Sequence, residues 1–185
     1  MKIEPSVTLS VAVLALAAAV SGEMNVHLEP LRPLLGRTWR GSLPGGSSEK
    51  PVVDVSRYEL ALSGQAVRVR HSVNDGDYAG ESFIVWDQGK RSLVYFYFTT
   101  AGFYTTGTFR ADDGGALVSE ETVVGAAGGI TAVRGTHRLL ADGHLHVKTE
   151  YLKNGRWVDG RDTDYVEDPS AVVRLKEDAP SGLPK

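Results

Sequence analysis

Short apolar or alternating runs, each closed by a turn signal, are the feature that most constrains what this chain can fold into. Aromatic and β-branched residues fill the runs, as in SLVYFYFTT. The pairs Asn154-Gly155 and Asp142-Gly143 predict two-residue hairpins, because both central residues of a type I′ turn need a positive φ. No helical periodicity separates the runs, so parallel βαβ units are not expected. The predicted strands cover residues 37–43, 51–62, 65–73, 79–86, 91–99, 103–110, 116–124, 130–140, 144–152 and 156–166.

About ten antiparallel strands joined by tight turns predict an all-β fold, and the economical arrangement is an up-and-down β-barrel. The sheet is expected to close on itself because closure removes exposed edges, which would otherwise pair with other chains. A two-sheet sandwich is the alternative architecture.

A Pro-punctuated segment precedes the first strand. Residues 27–35 predict a short helix or 3₁₀ turn that caps one end of the barrel, because two prolines keep it short. Gly36 is expected to end this cap. Trp39 then enters the first strand and plugs the same end, and Gly41 lets a ring or another backbone approach closely.

The N-terminus has the pattern of a targeting segment. Its apolar run, residues 7–20, is short for a membrane span, which needs about 20 residues. Ala19-Val20-Ser21 fits a signal-peptidase site, and Ala17-Ala18-Ala19 is a second option. Residues 1–22 are therefore predicted to be a signal peptide of a periplasmic or secreted protein, without stable membrane insertion after cleavage. An uncleaved anchor and a packed N-terminal helix are the alternatives.

The remaining chain divides into a predicted barrel domain, residues 27–172, and a predicted disordered tail, residues 176–185, which is polar and rich in Pro and Gly. The sequence does not indicate the oligomeric state.

Composition excludes several classes of function. The net charge is −3 and no basic stripe stands out, so nucleic acid is not an expected partner. Cysteine is absent, which rules out disulfides, thiolate nucleophiles and Cys-ligated metals. The chain also lacks a Gly-x-Ser-x-Gly elbow, a phosphate-binding loop and a His-Glu-x-x-His motif. No catalytic residue and no metal site is assigned, and a non-enzymatic role is favoured.

Alternation along the strands separates an inner face from an outer one. In AVRVRHSV the valines and His71 share one face, while two arginines share the other. A barrel of this size can hold one small ligand, and an apolar wall with a few polar groups suits such a pocket. The residues predicted to bind a ligand in the interior are Trp39, Val69, His71, Tyr95, Tyr104, His137 and Tyr151.

Two groups of polar residues are candidates for other chemistry. His144 and His146 share a strand face with Glu150, a spacing that can chelate Zn²⁺ or Cu²⁺; a solvated exterior face is the alternative. Arg134 and Arg138 would hold a carboxylate if they faced inward, but the alternation predicts that they face outward.

Neighbouring acidic residues give no catalytic pair. Glu120 and Glu121 are adjacent and therefore point to opposite faces of one strand. The acidic residues between 159 and 168 lack the spacing of any calcium loop, so a solvated terminal strand is the simpler interpretation.

Residues 27–41, HLEPLRPLLGRTWRG, resemble the opening of calycin-type barrels, including nitrobindin-like ones. Residues 27–170 resemble more closely an exported bacterial family of unknown function, the lipocalin-like domain of DUF1579 type. The motifs SVNDGDYAGESFIVWD, FYFTTAGFYTTGTF and HLHVKTEYLKNGRWVDG carry that second resemblance. It implies a lipocalin-like barrel that occupies nearly the whole mature chain.

Nitrobindin relatives bind haem in the barrel through a histidine on a late strand, and they handle nitric oxide or peroxynitrite. The resemblance implies haem as a possible cofactor, with the inward-facing His137 as its ligand.

Three functions remain open. The first is an exported carrier that holds a small apolar or amphipathic ligand in the barrel, without a cofactor. The second is a structural or interaction module whose barrel is filled by side chains. The third is a haem protein or an enzyme that uses His71 or His137.

Overall fold

The structure is a computed structural model, and it describes residues 23–125 and 128–176 of the 185-residue chain. The predicted signal peptide lies outside the described residues, as does the predicted tail apart from its first residue, Lys176. No helix among the described residues is long and apolar enough to cross a membrane.

Ten antiparallel strands form a closed barrel in which each strand pairs with its sequence neighbours and the first pairs with the last. Closure confirms the predicted all-β barrel and excludes the sandwich. Every strand end lies within one residue of its predicted position. The strands are β1 (Thr38–Leu43), β2 (Val52–Ala61), β3 (Ala66–Val73), β4 (Tyr78–Asp87), β5 (Ser92–Thr99), β6 (Tyr104–Ala111), β7 (Leu117–Val124), β8 (Ile130–Leu139), β9 (Leu145–Lys153) and β10 (Arg156–Glu167).

A 3₁₀ helix, Val26–Leu34, forms the predicted cap, and we call it the cap helix. Leu28, Leu31 and Leu34 are buried, because a helix with three residues per turn places every third side chain on one face. Burial of each leucine stabilises the fold by about 1.5–3 kcal/mol. Gly36, at φ +74°, then redirects the chain into β1.

Trp39 and Gly41 have the structural roles that the sequence predicts. Trp39 is fully buried in the core at the capped end. A Cβ atom at Gly41 would lie 2.8 Å from Cδ1 of Tyr165, so the absence of a side chain allows that ring to lie across β1. The tyrosine ring thereby reaches the barrel interior.

The two predicted hairpins have different outcomes. Asn154 and Gly155 both have positive φ and join β9 directly to β10, which confirms a two-residue turn. The β8–β9 connection is longer than predicted, because Asp142 does not have a positive φ while Gly143 does. There the Gly143 N–H donates to the carbonyl of Leu140, 3.0 Å away, and forms a wider turn.

Candidate functional site

The barrel encloses a cavity of about 430 Å³, lined by side chains from all ten strands. Most of its wall is apolar or aromatic. The polar groups are concentrated in two clusters and one separate histidine. A cavity of this size and composition falls in the range of small-molecule sites, about 300–1,000 Å³.

Five of the seven residues predicted to bind a ligand line this cavity, although ligand binding itself stays a prediction. They come from β3, β5, β8 and β9. The five are Val69, His71, Tyr95, His137 and Tyr151.

The other two predicted residues lie elsewhere. Trp39 is packed in the core below the cavity rather than in its wall. Tyr104 lies on the outer face, 39% exposed, with its ring stacked on Phe98. The inward residues of β6 are the odd-numbered ones, including Thr105 and Phe109, so Tyr104 has the wrong parity for the interior.

The larger polar cluster is built around Asp54 on β2, and we call it the aspartate cluster. Asp54 is 1% exposed. Its Oδ1 atom lies 2.8 Å from Nδ1 of His71, and its Oδ2 atom accepts a 2.7 Å hydrogen bond from the hydroxyl of Tyr165. Nη1 of Arg161 donates to the same tyrosine oxygen at 2.9 Å and lies 3.5 Å from Asp54 Oδ2.

The cluster extends from His71 along two tyrosines. Nε2 of His71 lies 2.7 Å from the hydroxyl of Tyr97, which lies 2.6 Å from the hydroxyl of Tyr78. Burial raises the pKa of Tyr97, and its neighbour Tyr78 raises it further. Burial also raises the pKa of Tyr78. Both phenols therefore stay neutral and remain able to donate a hydrogen bond.

Charge is localised on Asp54 and Arg161. Burial alone would raise the pKa of Asp54, but the hydrogen bond and charge of His71 and the charge of Arg161 lower it below its ordinary value. Burial works against the charge of Arg161, yet Tyr165 and Asp54 raise its pKa. Because ionised Asp54 can only accept, the Nδ1–H of His71 must donate to it.

Arg161 is the inward arginine that the sequence analysis missed. Arg134 and Arg138 face outward as predicted, and Arg134 pairs with Glu150 at 2.7 Å across the outer surface. Arg161 lies within an irregularity of the β9–β10 register, between Asp159 and Asp162. The one available signal was its spacing from Tyr165, a bulky aromatic residue on the same strand. Residues four positions apart on a strand point to the same face.

The second polar cluster is centred on Glu121 of β7. The Thr105 hydroxyl donates a 2.6 Å hydrogen bond to Glu121 Oε2. Burial raises the pKa of Glu121 and outweighs this hydrogen bond. Near it, the buried hydroxyl of Tyr95 has no hydrogen-bond partner among the described residues. Glu120 lies on the exposed face, so the two glutamates point in opposite directions as predicted.

His137 is the separate histidine of the cavity wall. Its ring lies 5.6 Å from that of Phe109, and its buried Nδ1 atom has no hydrogen-bond partner among the described residues. Burial lowers the pKa of His137 to about 4, and the charge of Arg161 adds to this shift. The imidazole is therefore neutral at physiological pH.

The pair His144 and His146 lies on the outer face. Nδ1 of His146 lies 2.7 Å from Asp164, and His144 lies 3.6 Å from Asp142. Glu150 instead pairs with Arg134. Residues 23–125 and 128–176 contain no group of three or more potential ligands arranged to hold a metal ion.

Comparison with known proteins supports the architecture. The crystal structure of Rv2717c from M. tuberculosis superimposes with a TM-score of 0.55 at 16% sequence identity, covering 79% of this chain and 99% of that one. At this identity the similarity shows the barrel fold alone. It does not distinguish the lipocalin-like or DUF1579-type families from other barrels. No protein-family model and no curated protein sequence matches the chain.

Proposed function

We propose that this protein is a carrier or receptor that binds a small amphipathic molecule inside the barrel. The observation that supports this function best is the 430 Å³ cavity itself. Protein interiors are close-packed, and a barrel that served only as a structural module would be filled by its own side chains. The aromatic wall suits the apolar part of a ligand, and the polar clusters suit its hydrogen-bonding groups.

Export and family membership belong to the same proposal. The predicted signal peptide supports a location in the periplasm or outside the cell, where the carrier would meet its ligand. The resemblance to exported lipocalin-like proteins of DUF1579 type agrees with this location. Sequencing the N-terminus of the protein recovered from the periplasmic or secreted fraction of its host tests it: a start near Ala19–Ser21 supports cleavage after export, and absence of the protein from that fraction would contradict export.

The function is tested by native mass spectrometry on protein purified from its own host, with an absorption spectrum recorded in parallel. A stoichiometric extra mass without a Soret band is the expected result. A Soret band would instead support a haem protein, with His137 as the first residue to substitute. A bare polypeptide mass that also fails to bind an amphipathic dye such as anilinonaphthalene sulfonate would contradict the proposal.

Two substitutions on β7 make the test specific for the cavity. Val123 lines the cavity, whereas its neighbour Val124 is exposed on the outer face. Val123→Trp is expected to abolish ligand binding, seen as loss of the extra mass, because the indole fills space that the ligand needs. Val124→Trp makes the same chemical change outside and should leave capture intact. Equal capture by both variants would place the ligand outside the barrel.

A further inference from the structure

The Arg161 guanidinium has more hydrogen-bond donors than it has acceptors among the described residues. A guanidinium carries five N–H groups. Among the described residues its one hydrogen bond is the 2.9 Å contact from Nη1 to the hydroxyl of Tyr165. The side chain lines the cavity and is 27% exposed. Most of its donors therefore have no partner among the described residues.

Asp54 cannot supply the missing acceptors. Its Oδ1 atom already accepts a hydrogen bond from His71, and its Oδ2 atom accepts one from Tyr165 while lying 3.5 Å from Arg161. Three donors thus surround one carboxylate. Leaving charged N–H groups unpaired in a low-dielectric interior is costly, so the site favours a second acceptor supplied from outside the protein.

The balance of charge points to an anion. Asp54 and Arg161 carry opposite charges, and burial raises the pKa of Glu121, which disfavours its negative form. His137 is neutral. A ligand carboxylate would meet the free N–H groups of Arg161, whose protein partners Asp54 and Tyr165 are already hydrogen-bonded to each other.

The remaining wall indicates where the rest of the ligand lies. The cap helix packs against β3 and β4 near the Trp86 end of the barrel. Strand pairing places Phe109 and Leu145 toward that end, where they line an apolar floor. Arg161 lies at the middle of β10, and its partner Asp54 lies opposite Val73, at the end of β3 away from Trp86. A chain attached to the carboxylate would therefore extend from Arg161 toward the cap helix.

We propose that the ligand of this cavity is a monocarboxylic acid with an apolar chain, its carboxylate held by the Arg161 guanidinium fork and its chain directed toward the cap helix. The fork geometry matches two carboxylate oxygens better than a single hydroxyl. This inference rests on the proposed function, because it requires that the cavity take up a ligand.

The test compares decanoic acid with decanol and methyl decanoate by isothermal titration calorimetry, using the protein without its leader. The acid is expected to bind at least about tenfold more tightly than either neutral analogue. Arg161→Met should remove this preference while leaving decanol binding unchanged. Arg40→Met changes the charge equally but lies on the exposed outer surface of β1, so it should preserve the preference.

The outcomes separate the inference from the function on which it rests. Equal affinity for acid and alcohol would overturn the carboxylate proposal and leave the carrier function standing. If neither probe binds and the host protein carries no ligand, the carrier function itself fails.

A second measurement covers the case in which Arg161→Met does not fold. Carboxyl-labelled decanoate is titrated by NMR in the presence of the unsubstituted protein. The bound acid should keep its charge to a lower pH than the free acid, because the guanidinium stabilises the ionised form. An unshifted or raised pKa of the bound acid would overturn the proposal.

Discussion

The ring of Tyr97 lies over Gly80, in the space that a side chain at position 80 would occupy. Gly80 pairs with His71 on one side and Thr99 on the other, so the missing side chain opens a path from Tyr97 across β4 to His71. The 2.7 Å contact between the hydroxyl and the imidazole depends on that path. The absence of a side chain at Gly80 on β4 thus allows the Tyr97 hydroxyl of β5 to reach the aspartate cluster.

Gly80→Ala is expected to displace the Tyr97 ring and break its contact with His71. Overpacking of this kind costs about 1–3 kcal/mol of unfolding free energy, measured by urea denaturation. Gly89→Ala, in the exposed β4–β5 turn, is the matched control and should cost far less. An unchanged stability in Gly80→Ala would mean that the ring moves aside freely.

Asp54→Asn should be strongly destabilising, because a neutral amide cannot balance Arg161 while accepting from both His71 and Tyr165. Breaking a buried ion pair by removing one partner costs about 3–5 kcal/mol. Glu150→Gln makes the same isosteric change in a surface pair with Arg134 and should cost only about 0–1 kcal/mol. Equal losses in the two variants would contradict the central role of Asp54.

The strands and the cap could be predicted because their signals are local. Turn residues mark where each strand ends, and the Leu28, Leu31 and Leu34 spacing with two prolines marks a short 3₁₀ helix. Closure could then be predicted from the number of strands. A sheet of ten strands has two unpaired edges unless its first strand pairs with its last.

The polar clusters could not be predicted, because the site breaks the pattern on which the prediction depends. In β2 the inward residues are Asp54, Ser56 and Tyr58, while Val53 and Val55 face outward, the reverse of a simple hydrophobic alternation. In β10 both faces carry charged residues, so periodicity does not mark Arg161. Such violations are expected where a cavity needs polar groups rather than a dry core.

Tyr104 was misplaced for a related reason. In β6 each face carries threonine and one aromatic residue, Tyr104 on one face and Phe109 on the other. Hydrophobicity therefore does not decide which face is inward. The register does: Phe109 pairs with Leu93 and Thr105 with Tyr97, two residues that face the interior. That information lies in the neighbouring strand, beyond the reach of a single-strand pattern.

Glu121→Gln is expected to stabilise the protein at neutral pH. Because burial raises the pKa of Glu121, the folded state keeps a proton that the unfolded chain has released, and stability falls as pH rises above 4.5, the ordinary pKa of a glutamate. The neutral amide avoids this loss, which amounts to at most about 1.4 kcal/mol per pH unit. Unfolding free energies at several pH values should therefore show a difference between variant and unsubstituted protein that grows with pH.

Glu120→Gln is the control for that measurement. Its side chain lies on the exposed face of the same strand, next in sequence to Glu121. It should leave the pH profile of stability unchanged. A Glu121→Gln variant that is less stable than the unsubstituted protein at neutral pH would show that the carboxyl is charged and held by contacts with Thr105.

His137 should make the fold sensitive to mild acid. Burial lowers its pKa to about 4, whereas in the unfolded chain the imidazole has the ordinary histidine pKa of 6.5. Between these values the unfolded state binds a proton that the folded state does not, so stability is lost as pH falls through this window, by at most about 1.4 kcal/mol per pH unit. His137→Gln should flatten the urea-derived stability profile between these two pH values, whereas His144→Gln, on the outer face, should reproduce the original slope. Parallel profiles for the unsubstituted protein and His137→Gln would mean that this imidazole is hydrated and protonates freely inside the cavity.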